Sequence, residues 1–159
     1  MEPNIIILRT PPYQTKDFRK DIFKVNKACF RYNEYRFTEE SFAKTLAEKE
    51  TTFHLAMDKN KHKIIGYMIT SEFRLPNRSK YLYLYQIAVH PKYRNLRIGR
   101  QLFDLFITEG KRLKINIFRL HAINPAVVSM CDSKGFKKIK FFKQYIGKNN
   151  CTLFELRLK

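Results

Sequence analysis

The clearest signal in the chain is the segment Ile87-Ala88-Val89-His90-Pro91-Lys92-Tyr93-Arg94-Asn95-Leu96-Arg97-Ile98-Gly99-Arg100. It opens with the apolar end of a strand and continues through a basic turn that contains one proline. A helix is then predicted over residues 98–113, because its apolar positions recur at helical spacing, namely Ile98, Leu102, Leu105, Phe106 and Leu113. The N-terminus of such a helix presents unpaired main-chain N–H groups and a partial positive charge, so it favours an anion such as phosphate.

Three arginines, Arg94, Arg97 and Arg100, crowd this helix start. Basic side chains are unfavourable at the N-terminus of an isolated helix, so a nearby anion would explain them. The alternative is an exposed basic turn without a ligand. The segment is not a Walker loop, because no Gly-Lys-Ser/Thr follows, and it lacks the glycines of a dinucleotide fingerprint.

Further secondary structure is predicted on both sides of this segment. Residues 81–89 form a strand that is apolar or aromatic on both faces, which is typical of a central strand. Downstream we predict a strand at 115–121, a helix at 125–133 and a hairpin of strands 136–145 and 152–158. Upstream we predict a strand at 4–9, a helix at 16–29 capped by Thr15, a helix starting at Thr38, and a hairpin of strands 52–57 and 62–73. The order β-α-α-β-β-β-α-β-α-β-β indicates an α/β (α+β) fold with a mixed sheet of about seven strands and about four helices.

Length and composition exclude several classes of protein. The 159 residues suggest one domain over 1–159, and 44% hydrophobic with 29% charged residues is the balance of a globular chain. No apolar run approaches the roughly 18 residues of a membrane span, and Ile5–Leu8 is too short for a signal peptide. Three cysteines without paired spacing argue against a disulfide framework or a zinc site, and the histidines have no ligand-like spacing. We therefore expect no metal and a cytoplasmic location.

The positive charge is concentrated in the second half of the chain. The formal net charge is +18, and residues 71–159 carry 19 of the 32 basic side chains but only 5 of the 14 acidic ones. Such a field attracts phosphates, nucleic acid or acidic proteins and disfavours polycationic substrates. Solvated lysine-rich faces without a partner are the alternative explanation.

The sequence resembles the GNAT superfamily of N-acetyltransferases. The family signature Arg/Gln-x-x-Gly-x-Gly/Ala corresponds here to Arg94-Asn95-Leu96-Arg97-Ile98-Gly99. A second family pattern begins with a loop asparagine and ends with Gly-Phe, here Asn124 and Gly135-Phe136. The resemblance spans nearly the whole chain and looks closest to ribosomal-protein and N-terminal acetyltransferases.

The resemblance implies acetyl-CoA as the cofactor. The main chain of Ile87, Ala88 and Val89 would pair with the pantetheine arm of acetyl-CoA. Asn124 would bind the pantetheine side of the cofactor. The pyrophosphate would lie against the N–H groups of the basic turn, so the implied cofactor-binding residues there are Arg94, Asn95, Leu96, Arg97, Ile98, Gly99 and Arg100. The charge distribution agrees, because coenzyme A is a polyanion.

Three departures from the family pattern bear on the chemistry. Arg97 replaces the first motif glycine and can still donate its N–H group if its conformation is helical. Cys131 replaces the tyrosine that protonates the departing thiolate in many relatives, so it is either the acid or a buried small hydrophobe. Arg119 replaces a general base and cannot accept a proton. His121 lies two residues on, on the same strand face, and is our candidate base.

Aromatic residues of the central strand offer further candidates. Tyr81, Tyr83 and Tyr85 should share one face, where they either pack across strands or serve the acceptor, and we include Tyr85 with His121 and Cys131 as candidate catalytic residues.

The sequence thus predicts an acetyl-CoA-dependent N-acetyltransferase whose acceptor is a primary amine of a protein N-terminus, a lysine or a small molecule. The missing carboxylate base favours α-amino groups, with a pKa of about 7.7–8.0, over lysine at about 10.4. Two alternatives are a catalytically weak CoA-binding regulatory module and a basic nucleic-acid- or ribosome-associated protein, including one that acetylates aminoacyl-tRNA. An acidic or RNA-associated partner fits the charge, no membrane partner is expected, and the chain is a monomer or a homodimer.

Overall fold

The computed structural model of the chain describes residues 2–30 and 35–159. The strands are β1 (Ile5–Thr10), β2 (Thr51–Asp58), β3 (Lys63–Arg74), β4 (Lys80–Val89), β5 (Ile117–Ala122), β6 (Lys137–Ile146) and β7 (Asn149–Arg157). The helices are α1 (Pro12–Thr15), α2 (Arg19–Cys29), α3 (Glu39–Ala47), α4 (Ile98–Arg112) and α5 (Pro125–Ser133). The strands of the described residues form one sheet of seven, in the order β1-β2-β3-β4-β5-β7-β6.

The sheet is mixed, because β4 pairs with β5 in parallel whereas β1–β2, β5–β7 and β6–β7 are antiparallel. The predicted fold class and order of elements are confirmed, apart from the single-turn helix α1 that precedes α2. The bounds of α5 are those expected from the sequence, since Asn124 caps its start and Gly135 follows its end at φ +80°.

The chain divides into two compact units, of which the first comprises residues 1–70 and 86–103. Its core is built by apolar side chains of α2, α3 and the strands, namely Ile22, Val25, Phe42, Phe53, Leu55, Ile64, Tyr67, Ile69 and Ala88. Gly66 lies close to β4, because a Cβ there would stand 2.9 Å from Ala88 O. Any larger residue would therefore push the two backbones apart.

The sequence predicts two helix starts in this unit. The predicted start at Thr38 falls on the N-cap of α3, because the Thr38 hydroxyl accepts from Ser41 N while the Ser41 hydroxyl accepts from Thr38 N. Thr15 as the N-cap of the next helix is wrong. It ends α1 in a helical conformation and its hydroxyl donates to Pro11 O, while a 3-10 turn separates it from α2.

The second unit comprises residues 71–85 and 104–159. Parallel pairing runs from Leu82 opposite Phe118 to Leu84 opposite Leu120. The core beneath it is aromatic, since the ring of Phe106 meets that of Phe118 edge-on at 5.3 Å. Gly110 allows this contact, because a Cβ there would lie 2.2 Å from the Phe118 ring. The part of the chain that the structure describes contains no helix long and apolar enough to cross a membrane.

Candidate active site

The basic turn between β4 and α4 has the backbone of an anion cradle. Asn95 has φ +69° and Arg97 has φ +61°. The helical conformation considered for Arg97 is therefore wrong, and the arginine keeps the left-handed conformation that favours glycine. An L-residue in that region costs about 1–2 kcal/mol, which Asn95 tolerates better than most residue types.

The turn presents main-chain donors and cations to solvent. Arg97 O accepts from Gln101 N, which makes Arg97 the residue at which the hydrogen bonding of α4 begins. Within residues 2–30 and 35–159, no acceptor is found for the N–H groups from Asn95 to Arg100. The guanidinium-bearing residues Arg94, Arg97 and Arg100 are exposed beside them. Six main-chain N–H groups without a described acceptor and three exposed arginines thus lie on one short turn, a combination that favours an anion.

Side chains from neighbouring elements hold this turn in place. Arg94 Nε and Cys29 Sγ both donate to Val89 O, at 3.3 and 3.2 Å. Tyr93 Oη donates to the buried Asp58 carboxylate at 3.3 Å. Desolvation raises the pKa of the Cys29 thiol, so this thiol serves as a neutral hydrogen-bond donor.

A buried polar network that sequence reasoning missed lies directly before the segment Ile87–Val89. Asn26 Nδ2 donates to Tyr67 Oη at 2.9 Å and to Tyr35 O at 3.0 Å. Tyr67 Oη donates to Gln86 Oε1 at 2.8 Å, and Gln86 Nε2 donates to Tyr35 O. Burial raises the pKa of Tyr67, which keeps its hydroxyl neutral and able to donate. The network ties the start of the segment Ile87–Val89 to α2 and to Tyr35, over sequence distances that no local pattern reveals.

His121 on β5 lies beside Tyr83 on β4, with 2.7 Å between Tyr83 Oη and His121 Nδ1. The imidazole is half-buried and stacks on the Tyr145 ring at 6.1 Å with 7° between planes. Desolvation lowers the pKa of His121, so the ring is neutral at pH 7. In a neutral imidazole one ring nitrogen carries the hydrogen and the other accepts, so the accepting nitrogen is Nε2 when Nδ1–H donates to Tyr83 Oη and Nδ1 when the Tyr83 hydroxyl donates.

The three tyrosines of β4 share one face, as predicted. The Phe73 ring contacts Tyr81, Tyr83 and Tyr85 at 5.7, 6.0 and 6.1 Å between centroids. Tyr85 is 46% exposed, so its phenol reaches solvent. The structure therefore brings His121 against Tyr83, and the ring of the candidate Tyr85 packs edge-on against the Tyr83 ring at 5.2 Å.

Arg119 stands on the same face and is already paired. Its guanidinium donates to Glu155 Oε2 at 2.7 Å and lies 5.3 Å from the centre of the Tyr81 ring. Burial raises the pKa of Glu155, but hydrogen bonds from Arg157 and Arg119 outweigh this and hold it below its usual value. Glu155 is thus an ionised counter-ion, and it does not replace the missing carboxylate base.

Asn124 and Cys131 lie on α5. Asn124 Oδ1 accepts from Ala126 N at 2.8 Å, and this bond caps the helix. The amide N–H₂ group of Asn124 takes no part in the bond. Cys131 is fully buried, and desolvation raises the pKa of its thiol to about 12. Both observations favour the interpretation of Cys131 as a small packed hydrophobe over that of an acid.

Comparison with known proteins places this geometry in a family. Residues 19–136, more than half of the chain, match the acetyltransferase (GNAT) family. The chain belongs to this family. A search of curated proteins finds no significant match.

Solved structures of GNAT acetyltransferases have the same fold. The ribosomal-protein-S18-alanine N-acetyltransferase from Escherichia coli is 18% identical, with 98% of this chain and 95% of that one covered and a TM-score of 0.79. NAA60 from Arabidopsis thaliana, in complex with acetyl-CoA, is 15% identical at 98% and 100% coverage, with a TM-score of 0.79. The mosquito arylalkylamine N-acetyltransferase like 5b is 12% identical at 98% and 100% coverage, with a TM-score of 0.77.

Proposed function

We propose that the chain is an acetyl-CoA-dependent N-acetyltransferase that moves an acetyl group to a primary amine. The proposal rests on the turn from Arg94 to Arg100, which carries main-chain N–H groups without a described acceptor and three exposed arginines at the start of α4. The family match covers residues of both compact units, which supports one N-acetyltransferase domain over 1–159.

The residues of the turn fit a pyrophosphate. The left-handed backbone at Asn95 and Arg97 turns successive N–H groups outward, and no described side chain takes them. Guanidinium groups add charge-assisted hydrogen bonds to phosphate oxygens, each worth roughly 1.5–3 kcal/mol. Arg97 therefore replaces the flexibility of a glycine with a further phosphate donor while keeping the glycine-like conformation.

The remaining cofactor contacts are assigned to main-chain and amide groups. The segment Ile87–Val89 would pair with the pantetheine arm, and its N–H groups would hold and polarise the acyl carbonyl oxygen. The Asn26–Tyr67–Gln86 network fixes the start of this segment. The side-chain amide of Asn124 would donate a hydrogen bond to the pantetheine arm. When bound, acetyl-CoA supplies the thioester that the amine attacks directly.

His121 is assigned as the general base. In the tautomer whose Nδ1–H donates to Tyr83 Oη, Nε2 would accept the proton that the attacking amine loses. The lowered pKa of His121 keeps this nitrogen free at neutral pH. An α-amino group is already partly neutral there, because its pKa is about 7.7–8.0, so a base of this strength suffices.

Two residues are candidates for the group that protonates the departing thiolate. Cys131 stays a prediction, although its burial and raised pKa make it a poor proton donor. Tyr85 has an exposed phenol on the face that also carries His121 and can deliver a proton through water. The acceptor is a primary amine. The rest of the acceptor molecule should not be polycationic, because residues 71–159 create a positive field.

Calorimetric titration with acetyl-CoA at moderate salt, with ATP as a polyanion control, tests the cofactor assignment. We expect binding that favours acetyl-CoA over ATP and that persists when salt is raised. Equal and strongly salt-sensitive binding of the two would mean that the turn is only a polyanion patch, and the proposed enzyme would have to be abandoned.

A further inference from the structure

An aromatic cluster surrounds the proposed base in the second unit. The His121 ring lies 5.8 Å from Tyr83, 5.7 Å from Phe142 and 6.1 Å from Tyr145, measured between centroids. Phe142 and Tyr145 also contact each other at 5.5 Å. Together with Phe73 and Tyr85, which pack against Tyr83, these rings form what we call the aromatic surface, made of Phe73, Tyr83, Tyr85, Phe142 and Tyr145.

The aromatic surface is left open although its rings touch one another. Phe73 is 37% exposed, Tyr85 46% and Tyr145 48%. A contiguous exposed apolar patch commonly marks a binding site, whereas scattered exposed apolar residues need no explanation. Ring packing alone accounts for the contacts between these side chains. It leaves unexplained why their outer faces remain in water next to a half-buried imidazole.

Two cations beside the aromatic surface are paired with carboxylates, and a third lies against one of its rings. Arg119 is paired with Glu155, and Lys80 lies 3.7 Å from the Glu72 carboxylate. The Lys140 ammonium stands 5.1 Å from the centre of the Phe142 ring. An acceptor with a second positive charge would meet this ammonium, while an apolar group would meet only ring carbon.

We propose that the amine acceptor carries an apolar, preferably aromatic, group that packs on the aromatic surface while its amine faces His121. This inference rests on the proposed function and names the substrate class of the same site. Aromatic pairs contribute about 0.5–1.5 kcal/mol beyond the area they bury, which corresponds to roughly 2- to 12-fold in kcat/KM.

Two acceptors with the same α-amino group separate side-chain recognition from chemistry. We would measure kcat/KM for phenylalaninamide and for alaninamide with acetyl-CoA and take the ratio of the two values. The contributions of the base, the cofactor and the ionisation of the amine largely cancel in this ratio. The ratio should exceed about 10 in the wild type, because burying a phenyl group is worth more than burying a methyl group. Tyr145→Ala should lower it by about 3- to 10-fold.

Phe141→Ala is the matched control. Phe141 lies on the same strand and is 60% exposed, but adjacent strand residues point to opposite faces, so it lies away from the Phe142 ring and His121. The control should retain the wild-type ratio. Circular dichroism and thermal unfolding of both variants establish that they are folded before rates are compared.

The outcomes distinguish the inference from the function on which it rests. A wild-type ratio near 1, or an equal fall in Tyr145→Ala and Phe141→Ala, would overturn the inference and leave acetyl transfer standing. Sedimentation showing a dimer that Tyr145→Ala abolishes would also overturn it, since a second copy would then cover the surface. Failure to acetylate either amine, or any other primary amine, would overturn the proposed function and the inference together.

Discussion

Tyr83 Oη lies 2.7 Å from His121 Nδ1 across the parallel pair of β4 and β5. The pairing brings them together, because Tyr83 stands opposite Arg119 and His121 follows two residues later on the same face. This bond orients the imidazole, and Nε2 is the proton-accepting nitrogen in the tautomer whose Nδ1–H donates to Tyr83. A shift of one residue in the register would remove it.

The pH dependence of turnover should report the ionisation of His121. Desolvation lowers its pKa from 6.5, so the neutral base is fully present above pH 6.5 and is lost as pH falls through the lowered value. We expect kcat at saturating amine to fall on the acid side with a midpoint below 6.5. In His121→Gln, kcat should fall by about 100-fold or more and this acid limb should disappear.

His62→Gln is the control, because His62 is exposed in the hairpin between β2 and β3. It should keep both kcat and the acid limb. An unchanged limb in His121→Gln would show that another group is the base.

Tyr83→Phe should shift the pKa of the base without removing it. Loss of the bond between Tyr83 Oη and His121 Nδ1 should move the acid limb to lower pH if Nδ1–H donates to Tyr83 Oη, because that bond stabilises the imidazolium, and to higher pH if the Tyr83 hydroxyl donates to Nδ1. The same loss should reduce kcat by roughly 2- to 12-fold, equivalent to about 0.5–1.5 kcal/mol. Tyr81→Phe removes a hydroxyl from the same face and serves as the control. Identical pH profiles for the two variants would contradict a role for the Tyr83 hydroxyl.

Cys131→Ala separates proton transfer from packing. Cys131 is fully buried and burial raises its pKa to about 12, so we expect the free energy of unfolding to fall by about 1 kcal/mol while kcat per folded molecule is kept. Denaturant unfolding and steady-state kinetics on the same preparation measure both quantities. A slower turnover at unchanged acetyl-CoA affinity and stability would instead identify Cys131 as the acid.

Substitutions at Arg97 test the phosphate assignment. Arg97→Gly should leave the free energy of unfolding within about 1 kcal/mol, since φ +61° suits glycine, but should lower acetyl-CoA affinity by about 10- to 100-fold. Arg97→Glu should weaken binding further through repulsion. Lys143→Glu, which makes the same change of net charge outside the turn, is the control for the overall field. Unchanged affinity in Arg97→Glu would place the pyrophosphate elsewhere.

Local signals made much of the fold predictable. Apolar periodicity and the proline and glycine around α5 placed the elements, because each depends on a few neighbouring residues. Thr15 misled because a helical turn already begins at Pro12, so Thr15 has helical backbone angles and not the extended ones of an N-cap. The left-handed backbone at Arg97 was hidden, since an arginine there carries no glycine signature.

Long-range contacts account for what the sequence left unresolved at the candidate site. His121 was found from its position on the strand, but its bond to Tyr83 depends on the register of a parallel pair that no turn fixes. The Asn26 contacts with Tyr67 and Gln86 join residues 41 and 60 positions apart. Such networks form by tertiary packing and leave no periodic trace in the chain.

The most direct test of acetyl transfer is amine-dependent release of free thiol from acetyl-CoA, with the wild type and His121→Gln assayed in parallel over α-amino and small-amine acceptors. We predict a wild-type rate well above the amine-free rate, with a product heavier by one acetyl group and a rate about 100-fold lower in His121→Gln. Tight acetyl-CoA binding without amine-dependent thiol release from any acceptor would contradict an enzyme and indicate a CoA-binding regulatory module.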